Sequence, residues 1–351
     1  MKAIEQDQLF QELLRKNLLA IPFLTSVDIQ LAGQDHRAAG DYWVTLGVSG
    51  KNIHLIVEVL GNGEPRYIRQ SISKMHEWLK RMDHAYGLIV APALFDKSAA
   101  LCREAGISYL DFSGNCWLSF QNIYIERQGN SELRPEKKLL KSLYYPKAER
   151  ILRVLLATPG RSWKTEALAR EAGVSIGMVF KVKQHLLKLE WARDGRDGIQ
   201  LFAWRDLLED WKRNYTYQKS QVDQFYSLDS RIENGLATVC SSRNLRYAMA
   251  LFSGVARVAP YTRIKQLFAY VEKDVALIGT ELDLKPVDSG SNVTLLTPYD
   301  QGVFYGVQQV DGIMIASPVQ LYLDLNSYHG RGEEAAQFLF DKILEPLWSA
   351  N

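Results

Sequence analysis

Hydrophobic positions along the chain change their period several times, and each change marks an element. Over residues 1–20, Ile4, Leu9, Leu13 and Leu14 recur at helical spacing among Glu5, Asp7, Glu12, Arg15 and Lys16. This predicts an amphipathic helix, and the charges leave no apolar core for a signal peptide. Runs over 41–48 and 52–60 flank Ser49-Gly50-Lys51 and predict a hairpin, which Gly61-Asn62-Gly63-Glu64-Pro65 ends. A helix is predicted over 67–82, an apolar strand over 86–91, a helix over 98–105 and a strand from near Ile107. Strands alternating with helices predict a small α/β domain ending near Gly129. The polar break Asp111-Phe112-Ser113-Gly114-Asn115 reads as a turn whose Asp and Asn bond their own backbone, with a ligand or partner contact as the alternative.

The middle of the chain carries the most specific pattern. A helix is predicted over 147–157, ended by Thr158-Pro159-Gly160, and a second over 164–172, stopped by Gly173. A third is predicted over 175–190, followed by a two-stranded segment over 191–202 with glycines at its turn. Leu155, Leu168, Val174, Val179, Val182, Leu186 and Leu189 fall at helical spacing and are the expected core. Gly173 suits a left-handed turn, and Ser175 suits an N-cap. This order reads as a winged helix-turn-helix. Its candidate DNA-binding residues are Ser175, Ile176, Gly177, Phe180, Lys181, Lys183 and Gln184 on the third helix, with Arg193 and Arg196 in the wing.

Residues 219–241 read as a helical connection. Beyond them, strands are predicted over 266–271, 293–296 and 313–316, a helix opens within 317–325, and an amphipathic helix covers 332–344. This part is α+β, and the whole chain reads as multidomain α/β and α+β.

Net charge is only +2, but it is unevenly placed. Residues 134–220 hold 19 of the 42 Lys and Arg and 10 of the 40 Asp and Glu, a balance of +9 that leaves −7 for the rest. A basic segment between acidic flanks is the electrostatic footprint of a DNA-binding module, with a protein-interaction use of the same helices as the alternative. Arg257, Arg263 and Lys265 form a smaller basic group that reads as solvated surface. Apolar content of 47% and charged content of 23% are ordinary for a globular chain. No run of 18 apolar residues is present, so no membrane span is expected. Cys102, Cys116 and Cys240 are far apart and form no metal-ligand spacing, which fits a reducing cytoplasm without disulfides, zinc or other cofactor.

Two resemblances follow from particular residues. Asp41, Val57-Glu58-Val59, Leu88-Ile89-Val90-Ala91-Pro92 and Gly106 through Cys116 resemble, in their order, the restriction-endonuclease-like fold. That resemblance implies an Asp and a Glu holding Mg²⁺, with a Lys two residues after the Glu, to activate water. Glu58 matches the Glu and Asp41 the Asp, but Leu60 stands where the Lys belongs. The domain is therefore read as degenerate, and a metal-dependent nuclease using Asp41 and Glu58 is the alternative.

Residues 246–340 resemble the C-terminal half of AbiEi-type antitoxins of type IV toxin–antitoxin systems. Ser317-Pro318-Val319-Gln320-Leu321-Tyr322-Leu323-Asp324-Leu325 and Arg331-Gly332-Glu333-Glu334-Ala335-Ala336 carry the resemblance. It implies a transcriptional autoregulator that binds double-stranded DNA and opposes a nucleotidyltransferase-like toxin. The C-terminal domain is not itself read as such an enzyme: Ser253-Gly254 reverses the expected Gly-Ser, and Asp283, Asp288 and Asp324 are scattered. The expected domains are 1–133, endonuclease-like; 134–217, winged helix-turn-helix; and 218–351, antitoxin-like and separable from the rest. A non-catalytic adaptor in a defence system is a further alternative, and the oligomeric state, a dimer included, stays open.

Overall fold

The computed structural model describes residues 11–12, 14–21, 23–33, 39–48, 50–82, 84–121, 123–128, 143–259, 266–328 and 330–349. Ile4, Leu9 and Leu13 of the expected first helix, Ser49 of the hairpin turn, Arg263 and Lys265, and the boundary expected at 133/134 lie outside them. The chain forms two compact units, residues 1–139 with 188–190, and residues 140–187 with 191–351. Most of the expected second domain thus shares a unit with the third, while its residues 188–190 fall with the first.

The first unit contains β1 (Leu24–Leu31), β2 (Tyr42–Val48), β3 (Lys51–Val59), α1 (Pro65–Leu79), β4 (Ala85–Ala91), α2 (Asp96–Glu104), β5 (Ser108–Asp111), β6 (Cys116–Phe120) and β7 (Ile123–Arg127). One seven-stranded sheet takes them in chain order. β3, β4 and β5 run parallel because a helix carries each crossover, and the other neighbours are antiparallel. Alternating side chains feed two cores. Val57, Leu88, Val90 and Leu110 face Leu14 and Leu18, which lie in a helical stretch over residues 14–19. Ile56, Ile89 and Tyr109 face Ile68 and Met75 of α1 and Cys102 of α2. Asp111 to Asn115 forms the expected turn: the Asn115 backbone N–H and side-chain amide donate to the Asp111 carboxylate, both at 2.8 Å.

The second unit opens with α3 (Pro146–Ala157), β8 (Ser162–Trp163), α4 (Thr165–Ala172), α5 (Ile176–Lys188), β9 (Ala192–Gly195) and β10 (Gly198–Leu201). The strands form a small antiparallel sheet in the order β8-β10-β9. α6 (Trp204–Asn214) then leads to β11 (Gln221–Tyr226), α7 (Ile232–Ser242), β12 (Tyr247–Met249), α8 (Leu251–Val258), β13 (Leu267–Val271), α9 (Val275–Glu281), β14 (Lys285–Pro286), β15 (Val293–Thr297), β16 (Gln308–Val310), β17 (Ile313–Ile315), α10 (Pro318–Asn326) and α11 (Gly332–Leu339). Their mixed sheet is shuffled, in the order β14-β11-β15-β13-β12-β17-β16. Here the expected helical connection over 219–241 is corrected: its first part is a strand. β11 buries little besides Phe225, so it lacks the alternation that marks a strand, and it is held by β15 from far along the chain.

A buried polar seam joins α3 to α10 within this unit. Arg153 donates through Nε and Nη2 to the Gln320 side-chain oxygen at 3.1 and 2.8 Å. Glu149, one turn earlier, accepts from the Tyr299 hydroxyl and pairs with Arg153 at 3.5 Å. Gln320 donates to Tyr215 and Asp324, while Tyr215 and Tyr270 donate to Asp324 Oδ1 at 2.7 and 2.8 Å. Arg150 grips Asp300 with two bonds, at 2.7 and 2.9 Å. Near the chain's end, the Trp348 indole N–H donates to the Leu156 carbonyl at 2.9 Å. The expectation of a separable segment 218–351 meets this seam: a cut at 217 strips Gln320, Asp324 and Tyr299 of partners they are buried with.

Candidate nucleic-acid interface

The face of interest is built by α4, α5 and the β9–β10 hairpin. Thr165–Ala172 ends where Gly173 takes a left-handed φ of 62°, and its N–H and that of Val174 return to the Arg170 and Ala169 carbonyls. Ser175 then starts α5, its hydroxyl accepting the Met178 N–H at 3.3 Å, as the sequence predicts for an N-cap. Val179, Val182 and Leu186 are buried, as are Leu155, Leu168 and Leu189, whereas Val174, expected in the core, is only half-buried because it sits in the turn.

The opposite face of α5 meets solvent. Ile176 and Phe180 are 54% and 57% exposed, and Ser175, Gly177 and Lys181 lie beside them on the outer side. Lys183 departs from its expected outward role. Its side chain is only 15% exposed, because its ammonium pairs with Asp194 of β9 at 2.8 Å and ties the helix to the hairpin. Gln184 is half-buried. In the hairpin, Arg193 and Arg196 are exposed, and the Arg193 guanidinium lies 4.7 Å from the Phe202 ring centroid. Gly198 has φ +107°, and a Cβ there would stand 2.1 Å from the Trp163 carbonyl oxygen, so the hairpin's return needs glycine.

The sequence's nuclease candidates sit in the first unit. Asp41 Oδ2 accepts the Val59 N–H at 2.7 Å. Glu58 is buried beneath α1, accepting from the Ser71 hydroxyl and pairing with Lys74 at 3.2 Å. Leu60 packs into the helix-side core. Lys74 therefore supplies a cation that the residue two after Glu58 does not. A reading along the strand misses it; the signal was Lys74 lying one helical turn after Ser71 on α1. Among the described residues, no group of three or more His, Cys, Asp or Glu side chains is placed to hold a metal ion.

Elsewhere the candidates are structural. The Ser253 hydroxyl accepts the Phe268 N–H at 2.9 Å, and Arg257 pairs with Glu233. Asp324 is wholly buried; burial raises its pKa to about 6 against the bonds from Tyr215, Tyr270 and Gln320 that favour its charged form. Burial also works against the charge of Arg153, yet Tyr299 and Glu149 leave its pKa above the usual arginine value. The three cysteines are free and buried. No helix among the described residues is long and apolar enough to cross a membrane.

Residues 200–345 match the family described as "Transcriptional regulator, AbiEi antitoxin, Type IV TA system". A solved structure described as "Structure of EndoMS-dsDNA2 complex" is similar over 28% of this chain at 16% identity, with a TM-score of 0.20, too slight a likeness to define the fold. This chain spans 41% of the length of that one. No curated protein matches the chain.

Proposed function

We propose that this chain is a DNA-binding transcriptional regulator of the AbiEi antitoxin type. In this reading residues 134–217 are a winged helix-turn-helix in which α5 enters the major groove and the β9–β10 hairpin is the wing. The observation that carries it is the joint outward placement of Ile176, Gly177, Phe180, Lys181, Arg193 and Arg196 on the one segment with a balance of +9. Phosphate contacts from such cations give sequence-independent affinity and position the helix, while α5 side chains meet base edges. The match over residues 200–345 supports the regulator reading, and in this proposal the antitoxin duty falls to the segment after the wing. A nucleotidyltransferase-like toxin is its expected partner, and the cytoplasm its compartment. The first unit is read as an endonuclease-like domain kept as a scaffold.

The test is a salt titration of duplex binding by the full chain. Lys181→Ala with Arg196→Ala should weaken binding and flatten the slope of log affinity against log salt by about 1.8, if each residue neutralises one phosphate. An unchanged slope removes both residues from the interface.

A further inference from the structure

The outward face of α5 is short of the side chains that most often read bases. Residues 176–188, Ile-Gly-Met-Val-Phe-Lys-Val-Lys-Gln-His-Leu-Leu-Lys, include no Arg and no Asn. Arg is the commonest reader of guanine, and Asn or Gln pairs with adenine. Lys183, the next lysine of the helix after Lys181, is held by Asp194. What the face does present is apolar. Ile176 and Phe180 lie one turn apart on the same side and stay more than half exposed with the whole chain folded.

Gly177 lies in the helical turn that links them. Its φ is not positive, and a Cβ there would meet nothing within 4 Å, so the fold itself does not require glycine. Glycine weakens a helix, and its natural use at such a position is a close approach by something outside the chain. Cations accompany the patch: Lys181 follows Phe180 in the chain, and Arg193 and Arg196 are exposed in the hairpin that Lys183 ties to the helix through Asp194. Exposed apolar side chains on a segment rich in cations complement a polyanion that carries apolar groups in a groove. The major groove of DNA is such a surface, and its apolar group is the C5-methyl of thymine.

We propose that Ile176 and Phe180 read thymine methyl groups in the major groove, which makes the preferred ligand of this face a duplex rich in A·T pairs. Gly177 lets the helix backbone come close enough for both side chains to reach. Gln184, further along the helix, is the amide available to an adenine. The inference rests on the DNA-binding reading above and goes beyond it by naming what is read.

The experiment uses the full chain. A duplex is selected from a random-sequence pool and resynthesised with deoxyuridine for thymidine, which removes the methyl and leaves the Watson–Crick pair intact. Binding should weaken by about fourfold for each contacted methyl, the worth of one buried methyl-sized group. Phe180→Ala and Ile176→Ala, both at exposed positions, should bind more weakly and lose part of the difference between the two duplexes, with the salt slope unchanged. Equal affinity of the unaltered chain for both duplexes overturns methyl reading and leaves DNA binding standing. Variants that discriminate as well as the unaltered chain overturn the assignment to these two residues. If no duplex is retained in a salt-dependent way, the DNA-binding reading itself fails, and the apolar pair belongs to a protein contact.

Discussion

Glu58, of the β3 sheet, and Glu149, of the α3 seam, have matching surroundings at close range. Each is a buried carboxylate that accepts from a hydroxyl, Ser71 or Tyr299, and pairs with a cation, Lys74 or Arg153. The cations differ. The Lys74 side chain is 60% exposed, whereas that of Arg153 is 2% exposed. A cation at the rim keeps most of its hydration and can leave at little cost. A buried guanidinium, forked onto Gln320, has no such freedom, and the carboxylate beside it has, among the described residues, only Lys219 as another cation, more distant at 3.8 Å. The same pair of charges is thus adjustable in one place and architectural in the other.

Removing Arg153 is the harshest way to break this contrast. Arg153→Ala leaves Glu149 buried without its guanidinium and should cost about 3–5 kcal/mol in urea unfolding. Replacing the pair together, by Arg153→Met with Glu149→Leu, should restore much of that. A loss under about 1 kcal/mol for the single variant would show that the seam is as adjustable as the rim.

A smaller effect is expected at Asp324. Its folded pKa of about 6 lies above the ordinary carboxylate value, so the folded chain holds the proton more tightly. That contribution is fully present below about pH 4 and is lost as pH rises through 6. Asp324 faces Tyr215, Tyr270, Gln320 and Arg153, with Glu149 and Tyr299 beyond Arg153. Asp324→Asn should flatten the fall in stability between about pH 4 and 6, measured as the urea midpoint against pH. A fall of the same size in the variant assigns the titration to another group.

The smallest effect belongs to Lys74. Lys74→Met should change stability by less than about 1 kcal/mol, as for other pairs with an exposed partner. Neither form should cleave plasmid DNA in Mg²⁺ or Mn²⁺. Metal-dependent cleavage that vanishes in Lys74→Met would turn the rim pair from an ornament of the fold into chemistry.

The contrast also marks what the sequence discloses. α5 was legible because Val179, Val182, Leu186 and Leu189 repeat at helical spacing, and Gly173 and Ser175 mark its start. β11 was not, because a strand with one well-buried side chain carries no period of its own. Nothing local in the helix over 147–157 marks Glu149 and Arg153 as buried; their partners Tyr299 and Gln320 are remote in the chain. Lys74 was missed for the same reason at shorter range, since a helix brings it to Glu58 while the strand brings Leu60. The exposed face of α5 was readable in outline, but the capture of Lys183 by Asp194 required the hairpin's register. Local periodicity reports on which face is buried, not on which distant group buries it.

The order of strands in the two sheets carries a consequence for synthesis. Each strand of the first sheet pairs with the one made just before it, so a chain leaving the ribosome can lay that sheet down as it emerges. In the other large sheet, β11 must wait for β15, and β12 for β17. The helices α3 to α5 are complete well before the groups that steady them, and the Leu156 carbonyl waits for Trp348. Translation therefore delivers α3 to α5 early and their support late, and Glu149 and Arg153 of α3 keep water as their partner until Tyr299 and Gln320 have been made.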